Sequence, residues 1–145
     1  MASSMKWTSL GASTLSASSQ FDNLADEGNA AGSLISSSQN IYSDWFLRID
    51  QKGASAKYLE LYLVPNFGGS SVYGGSAQDP QVGTLAGTFQ TVAAACPQAM
   101  ILQYVITPNR DFTPVIVNKT GSALSGSNQF LYFQIQVHHL PQQFA

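Results

Sequence analysis

The chain has 145 residues, enough for one domain that buries about 70% of the surface of its unfolded chain. Charged residues make up 10% and the net charge is −2, whereas 47 of the 145 residues are Ser, Thr, Asn or Gln. This balance excludes the clustered Lys and Arg of a nucleic-acid-binding surface, and no run of about 18 apolar residues is present to span a membrane. Cys96 is the only cysteine, so an internal disulfide is excluded as well.

Residues 1–40 are rich in Ser, Ala and Gly and carry a few scattered large apolar residues. Such a composition is typical of a flexible linker, which becomes ordered when something ties it down. One hypothesis is an N-terminal arm that lies on another subunit or on the chain's own body, with Trp7 and Phe21 as anchors. The alternative is that residues 1–40 provide the first strands of the domain, while residues 41–145 form its main body.

Residues 41–50 and 57–64 both alternate with a period of two, which predicts two β-strands. A short loop around Gly53 joins them, and this arrangement predicts a β-hairpin. The positions predicted to face inward are Ile41, Trp45, Leu47, Ile49, Leu59, Leu61 and Leu63. The positions predicted to face outward are Tyr42, Asp44, Phe46, Arg48, Asp50, Tyr58, Glu60 and Tyr62.

The remainder of the chain predicts a long loop and four more strands. Residues 65–83 are rich in Gly, Ser and Pro and include the aromatic residues Phe67 and Tyr73. Thr113 and Pro114 are expected to lie in a connection before a short strand. The four strands are predicted at residues 85–92, 100–107, 115–118 and 130–139. In the last of them, Leu131, Phe133, Ile135 and Val137 are predicted inward and Phe130 and Tyr132 outward.

Six short strands with Gly and Pro turns, and no long helical period, predict an all-β chain. Chains of this kind form antiparallel sandwiches or barrels. Residues 1–40 have room for two further strands. No internal repeat is visible in the sequence.

Motifs that carry catalysis or bind phosphate are missing or incomplete. Residues 69–76 have the glycine spacing of a phosphate-binding loop, but Gly75 stands where that loop needs a lysine. The two histidines, His138 and His139, are adjacent in a predicted strand and point to opposite faces, so they cannot share one metal ion or one nucleophile. We therefore expect no enzyme activity, no cofactor and no metal.

The carboxylates on the predicted outer face could in principle serve a glycosidase, which needs two of them. Asp44, Asp50 and Glu60 are more simply a solvated β face that Arg48 and Lys57 partly neutralise. The sequence Asn-Lys-Thr at residues 118–120 fits a glycosylation site, although residues 1–20 lack the apolar core of a secretory signal.

Aromatic side chains are the most distinctive residues of the outward faces. Outward Tyr and Phe beside few charges are more typical of an interface than of a solvated surface. The alternative is a sheet that the chain's own arm covers on its second face. The interface candidates are Trp7, Phe21, Phe46, Tyr58, Tyr62, Phe67, Tyr73, Phe130 and Tyr132.

Several of these segments together resemble a known class of structural proteins. The segments are residues 45–48, 57–64, 74–75, 79–80, 85–89, 112–124 and 127–128. With them, the stretch from Trp45 to Leu131 resembles the capsid decoration (cement) proteins of tailed bacteriophages, which have a jelly-roll type of β-sandwich. The resemblance implies no catalytic residues, and residues 1–40 and the tail after His139 lie outside it.

The resemblance implies a non-enzymatic virion protein, made in the host cytoplasm, that binds the outer surface of a phage capsid and stabilises the shell. Its partners would be the major capsid protein and further copies of itself, as a dimer or trimer, with no nucleic acid and no membrane. One alternative is a carbohydrate-binding or host-recognition module in which Tyr58 and Tyr62, with Glu60 between them, form a sugar-stacking strip. Another is a different virion position, such as the tail tube or the connector.

Overall fold

The computed structural model describes residues 8–9, 13–14, 21–36, 42–50, 57–67, 70–71, 80, 84–93, 97–126 and 130–137. Within these ranges the chain forms strands and turns and no α-helix, which confirms the all-β prediction. The strands are β1 (Thr8–Ser9), β2 (Ser13–Thr14), β3 (Asn29–Ala31), β4 (Tyr42–Ile49), β5 (Tyr58–Phe67), β6 (Ser70–Ser71), β7 (Leu85–Gln90), β8 (Gln98–Ile106), β9 (Phe112–Lys119) and β10 (Phe130–Val137).

The strands form two antiparallel sheets. In the first sheet, β10 lies between β4 and the short strands β1 and β2, and β8 forms the far edge beside β4. In the second sheet, β5 and β9 are central, β3 and β7 are edges, and β6 pairs with the end of β5. With β1 and β2 sharing one position, the orders 1/2-10-4-8 and 3-9-5-7 are those of a jelly roll. The predicted antiparallel β-sandwich is therefore confirmed.

The core lies between the two sheets, and the predicted alternation explains how β4 and β5 contribute to it. Every second residue of β4 is buried, and the residues between them are half-buried on the outer face. A fully buried Leu, Ile or Phe side chain contributes about 1.5–3 kcal/mol relative to an exposed one. The largest fully buried side chains are Trp45, Phe21, Phe89, Phe112, Leu47, Ile49, Leu59, Leu61, Ile116, Leu131 and Val115.

The predicted hairpin between residues 41–50 and 57–64 is wrong. β4 belongs to the first sheet and β5 to the second, where β5 pairs with β7 and β9. Both strands bury a row of large apolar side chains, and these rows belong to one core cluster between the sheets. Two such rows bury more surface by facing each other across the sandwich than by lying side by side in one sheet, so the two strands belong to different sheets.

Strand β9 is longer than the short strand predicted at residues 115–118, and it includes Thr113 and Pro114. Pro114 is tolerated in β9 because its backbone nitrogen, which has no hydrogen to donate, faces the β3 side of the sheet, just past the last residue of β3. Gly32, just after β3, donates its N–H to the carbonyl of Pro114 at 2.8 Å. In an antiparallel strand the N–H and C=O of one residue point to the same side, so no ladder bond is lost at the centre of the sheet.

The sequence predicts that Tyr62 faces outward, and the structure confirms this. It does lie on the outer face of β5, but only 5% of its surface is exposed. It forms a second, smaller apolar cluster with Val64, Val115 and Val117, against which Ala31 packs. The outer face of the second sheet is therefore apolar and buried in its central part.

Residues 21–36 are part of the sandwich. Phe21 and Ile35 belong to its core cluster, and β3 pairs with β9. Phe21 thus packs into the chain's own body, one of the two locations considered for an anchor, whereas Trp7 lies outside the described residues.

Asn118 fastens the turn before β3 to the end of β9. It is fully buried, and its amide nitrogen donates to the carbonyls of Leu24 at 3.0 Å, Ala25 at 3.2 Å and Ser122 at 2.8 Å. Its amide oxygen accepts from the N–H of Thr120 at 3.0 Å and from the hydroxyl of Thr120 at 2.7 Å. The side chain that would carry a glycan at residues 118–120 is therefore committed to internal hydrogen bonds.

Candidate interaction surface

Strand β8 carries the most exposed large apolar side chains of the described chain. Ile101 is 62% exposed, Tyr104 60% and Ile106 73%. The strand lies at the edge of the first sheet with β4 as its neighbour, and none of its nine residues is charged. Isolated exposed apolar residues are ordinary, but three on one edge strand indicate a contact surface.

A β-bulge fixes the position of Tyr104. The pairing of β4 with β8 shifts between Ser43 and Trp45, so that Gln103 and Tyr104 are both accommodated opposite Asp44. Tyr104 has a φ of 57°, in the left-handed region, and its N–H donates to the carboxylate of Asp44 at 3.0 Å. A non-glycine residue in this region costs of order 1–3 kcal/mol, a strain typical of functional positions.

Strand β7, one of the two edge strands of the second sheet, lies beside β8. Strand β7 has its own irregularity at Ala86, because Leu61 pairs with Gly87 and Tyr62 with Leu85. Two cavities of about 270 and 340 Å³ open between these edges. The wall of the smaller cavity is mainly apolar, whereas that of the larger one, which includes Gln103 and Tyr104, is mainly polar; neither has a charged residue. We call this region the open side of the sandwich, defined by Leu85, Ala86, Tyr104 and Ile106.

Gly87 allows the two edges to approach each other at the open side. A Cβ atom at this position would lie 2.9 Å from Cδ1 of Leu102. We expect Gly87→Val to push Leu102 towards the cavities and to lower the free energy of unfolding by about 1–3 kcal/mol, as overpacking does. Urea denaturation measures the change, with Thr88→Val as the control on the neighbouring half-buried residue. An unchanged transition midpoint would show that the edges have room to separate.

The outer face of the first sheet continues this apolar surface. Phe46 is half-buried beside Ile101, its partner in β8, and Tyr42 is half-buried beside Ile106. Asp44 lies between these two aromatic residues in β4. Phe46 therefore stands on the outer face, as predicted.

Phe130 and Tyr132 occupy backbone positions opposite Arg48 and Phe46 in the pairing of β10 with β4. Their side chains lie outside the described residues, as does the whole of Tyr73. Phe67 is exposed at the end of β5, with the guanidinium of Arg110 4.4 Å from the centre of its ring. A cation over an exposed ring holds that ring in place but contributes only about 0.5–1 kcal/mol.

The sugar-stacking strip is not assembled as predicted. Tyr58 is half-buried, and the buried Tyr62 donates its hydroxyl to a carboxylate oxygen of Glu60 at 2.9 Å. A buried ring has no face to offer to a sugar. Among the described residues there is also no group of three His, Cys, Asp or Glu side chains that could hold a metal ion. His138 and His139 lie outside those residues.

The open side is the feature that the sequence reading missed. Residues 100–107 were predicted as a strand from their β-branched and aromatic content, without an assignment of faces. The bulge at Tyr104 changes the alternation midway, so a strict period of two cannot give the exposed positions. The absence of charge along β8 was the one available signal.

Comparisons of this chain with protein-family models, with curated proteins and with solved structures find no match. Among the described residues, no helix is long and apolar enough to cross a membrane.

Proposed function

We propose that this chain is a non-enzymatic structural protein of a bacteriophage virion, which binds the outer surface of the capsid and stabilises the shell. The observation that carries the proposal is the uncharged, apolar open side on a jelly roll. Jelly rolls build many viral coats, and also lectins. The resemblance of residues 45–131 to phage decoration proteins supports the same function.

The open side suits repeated contacts with a protein lattice. Leu85 and Ile106 both line the smaller cavity, which also has Leu63 and Pro65 in its wall. An apolar side chain of a partner that enters there gains about 25 cal/mol per Å² of buried apolar surface. No charged side chain in this wall has to be stripped of water, a step that costs free energy unless the charge is paired. Many such contacts on one shell add up through avidity.

The proposed partner is the major capsid protein of the phage. Capsids assembled with and without this chain are heated, and release of their DNA is followed by dye fluorescence. We expect the decorated capsids to release DNA at a temperature several degrees higher, because the bound subunits bridge neighbouring capsid proteins. Equal release temperatures, with binding verified by sedimentation, would contradict the stabilising function.

A double variant, Leu85→Ser with Ile106→Ser, tests the surface. Losing two apolar contacts, each worth about 1.5–3 kcal/mol when fully buried, should weaken capsid binding at least tenfold. The matched control is Val92→Ser, since Val92 is 58% exposed and lies outside the open side.

Electron cryomicroscopy of the virion distinguishes the other positions, because a tail tube or connector protein forms rings while a decoration protein repeats over the lattice. Glycan binding without capsid binding would favour the host-recognition module.

A further inference from the structure

Edge strands of natural sheets are usually protected against pairing with other chains. The common devices are charged side chains, proline, very short strands and bulges. Strand β3 has three residues and follows Asp26 and Glu27, so it is both short and flanked by charge. Strand β8 has nine residues without charge or proline, and its bulge protects only the half that contains Gln103 and Tyr104.

The other half of β8 is a regular edge. From Gln98 to Leu102 it pairs with β4 without interruption. Ala99 and Ile101 are exposed, while Met100 and Leu102 are partly buried against the core. This half thus offers an extended backbone with small or aliphatic outer side chains, which is the form that a further strand can join.

A second copy of the same strand meets these requirements. Antiparallel pairing of β8 with itself about a two-fold axis brings no charged residues opposite each other, because the strand has none. Among the described residues of β4 and β8, the cation on this face is Arg48, which pairs with Ala99 from β4. The two copies of Arg48 would be three strand spacings apart, about 14 Å, beyond the screening length at physiological salt.

We propose that residues 99–101 of β8 pair antiparallel with the same residues of a second copy, so that the first sheets of two chains become one continuous sheet. The proposal goes beyond capsid binding and concerns a different half of β8 from the one that contains Ile106. Either proposal can therefore fail alone.

Disulfide trapping tests the pairing and its register. Directly opposed residues of antiparallel strands have Cβ atoms about 4.5–5.5 Å apart, close enough for a disulfide after a small adjustment. In the full chain carrying Cys96→Ser, three samples are oxidised at micromolar concentration: Ala99→Cys, Ile101→Cys and an equal mixture of the two. We expect one of the three to give mostly covalent dimer. The Ala99→Cys sample reports a two-fold axis on residue 99 and the Ile101→Cys sample an axis on residue 101. The mixture reports an axis on residue 100, where residue 99 of one copy faces residue 101 of the other.

The control is Leu34→Cys, because Leu34 is 53% exposed and lies next to Ile35, which bridges to β9 in the other sheet. Cross-linking no greater than this control in all three samples would overturn the proposal.

Ile101→Lys supplies an independent readout, because it places two lysines near the axis. We expect the unsubstituted chain to sediment as a dimer and this variant as a monomer with unchanged circular dichroism. A monomeric unsubstituted chain would also overturn the proposal, whatever the capsid assay gives.

Discussion

Replacing Asn118 by leucine is expected to lower the free energy of unfolding by roughly 3–5 kcal/mol. Leucine has a similar volume but no polar atoms, so the carbonyls of Leu24, Ala25 and Ser122 lose this shared donor, although each keeps one other hydrogen bond. The N–H of Thr120 loses its acceptor in the same step. Five hydrogen bonds, each with a net worth of about 0.5–1.5 kcal/mol, are lost together, and the buried N–H of Thr120 is left without a partner.

Urea denaturation followed by tryptophan fluorescence measures this change. Asn109→Leu is the matched control, because Asn109 is exposed and should change stability by less than about 0.5 kcal/mol. A loss below about 1 kcal/mol in Asn118→Leu would mean that the turn before β3 is held by other contacts. Backbone bonds from Glu27 to the Asn118 carbonyl and from Asn118 to the Gly28 carbonyl remain in the variant, both at 2.8 Å. We therefore expect the sandwich to stay folded without denaturant.

The second large effect is expected for Trp45→Ala, at about 3–5 kcal/mol. Trp45 is the largest of the fully buried side chains of the core, and its indole N–H donates to the hydroxyl oxygen of Ser43 at 2.8 Å. Alanine leaves a cavity between the sheets and removes this donor. Since a domain of this size has a total stability of about 5–15 kcal/mol, the variant should lose between about a fifth and all of its stability.

Two companion variants separate the causes. Trp45→Phe keeps most of the ring volume and loses the hydrogen bond, so it should cost about 1–2 kcal/mol. Phe46→Ala is the control on the adjacent, half-buried position of β4, whose side chain points to the outer face. Thermal unfolding followed by circular dichroism measures all three. If Phe46→Ala proved as damaging as Trp45→Ala, the assignment of inner and outer faces would be contradicted.

Local alternation predicted much of the fold because it records which face of a strand is buried. The inward positions of residues 45–49 and 59–63 are buried, and the strands at residues 85–92 and 100–107 appear within two residues of their predicted ends. Alternation does not record which strand is the neighbour. The hairpin prediction failed for this reason, since a loop that turns within one sheet and a loop that crosses to the other have similar compositions.

Other features depend on contacts far apart in the sequence. Asn118 reads as a polar residue at the end of a strand until Leu24 and Ala25 are known to lie against it. Tyr62 alternates as an outward residue, and only its packing with Val115 and Val117 shows that this face is also buried. The exposure of Tyr104 depends on a bulge that Asp44 stabilises. None of these partners can be identified from periodicity.

The strand order also has a consequence for biosynthesis. Both neighbours of β4 in the first sheet, β8 and β10, are translated after it, and β1 at Thr8 pairs with β10 at Val137. The first sheet therefore cannot close until β10 has left the ribosome. Folds dominated by such distant pairings form slowly, because loop closure costs entropy before the contacts repay it. We expect newly made chains to expose the uncharged strand β8 for a time, so a chaperone that shields it should raise the yield of native subunits.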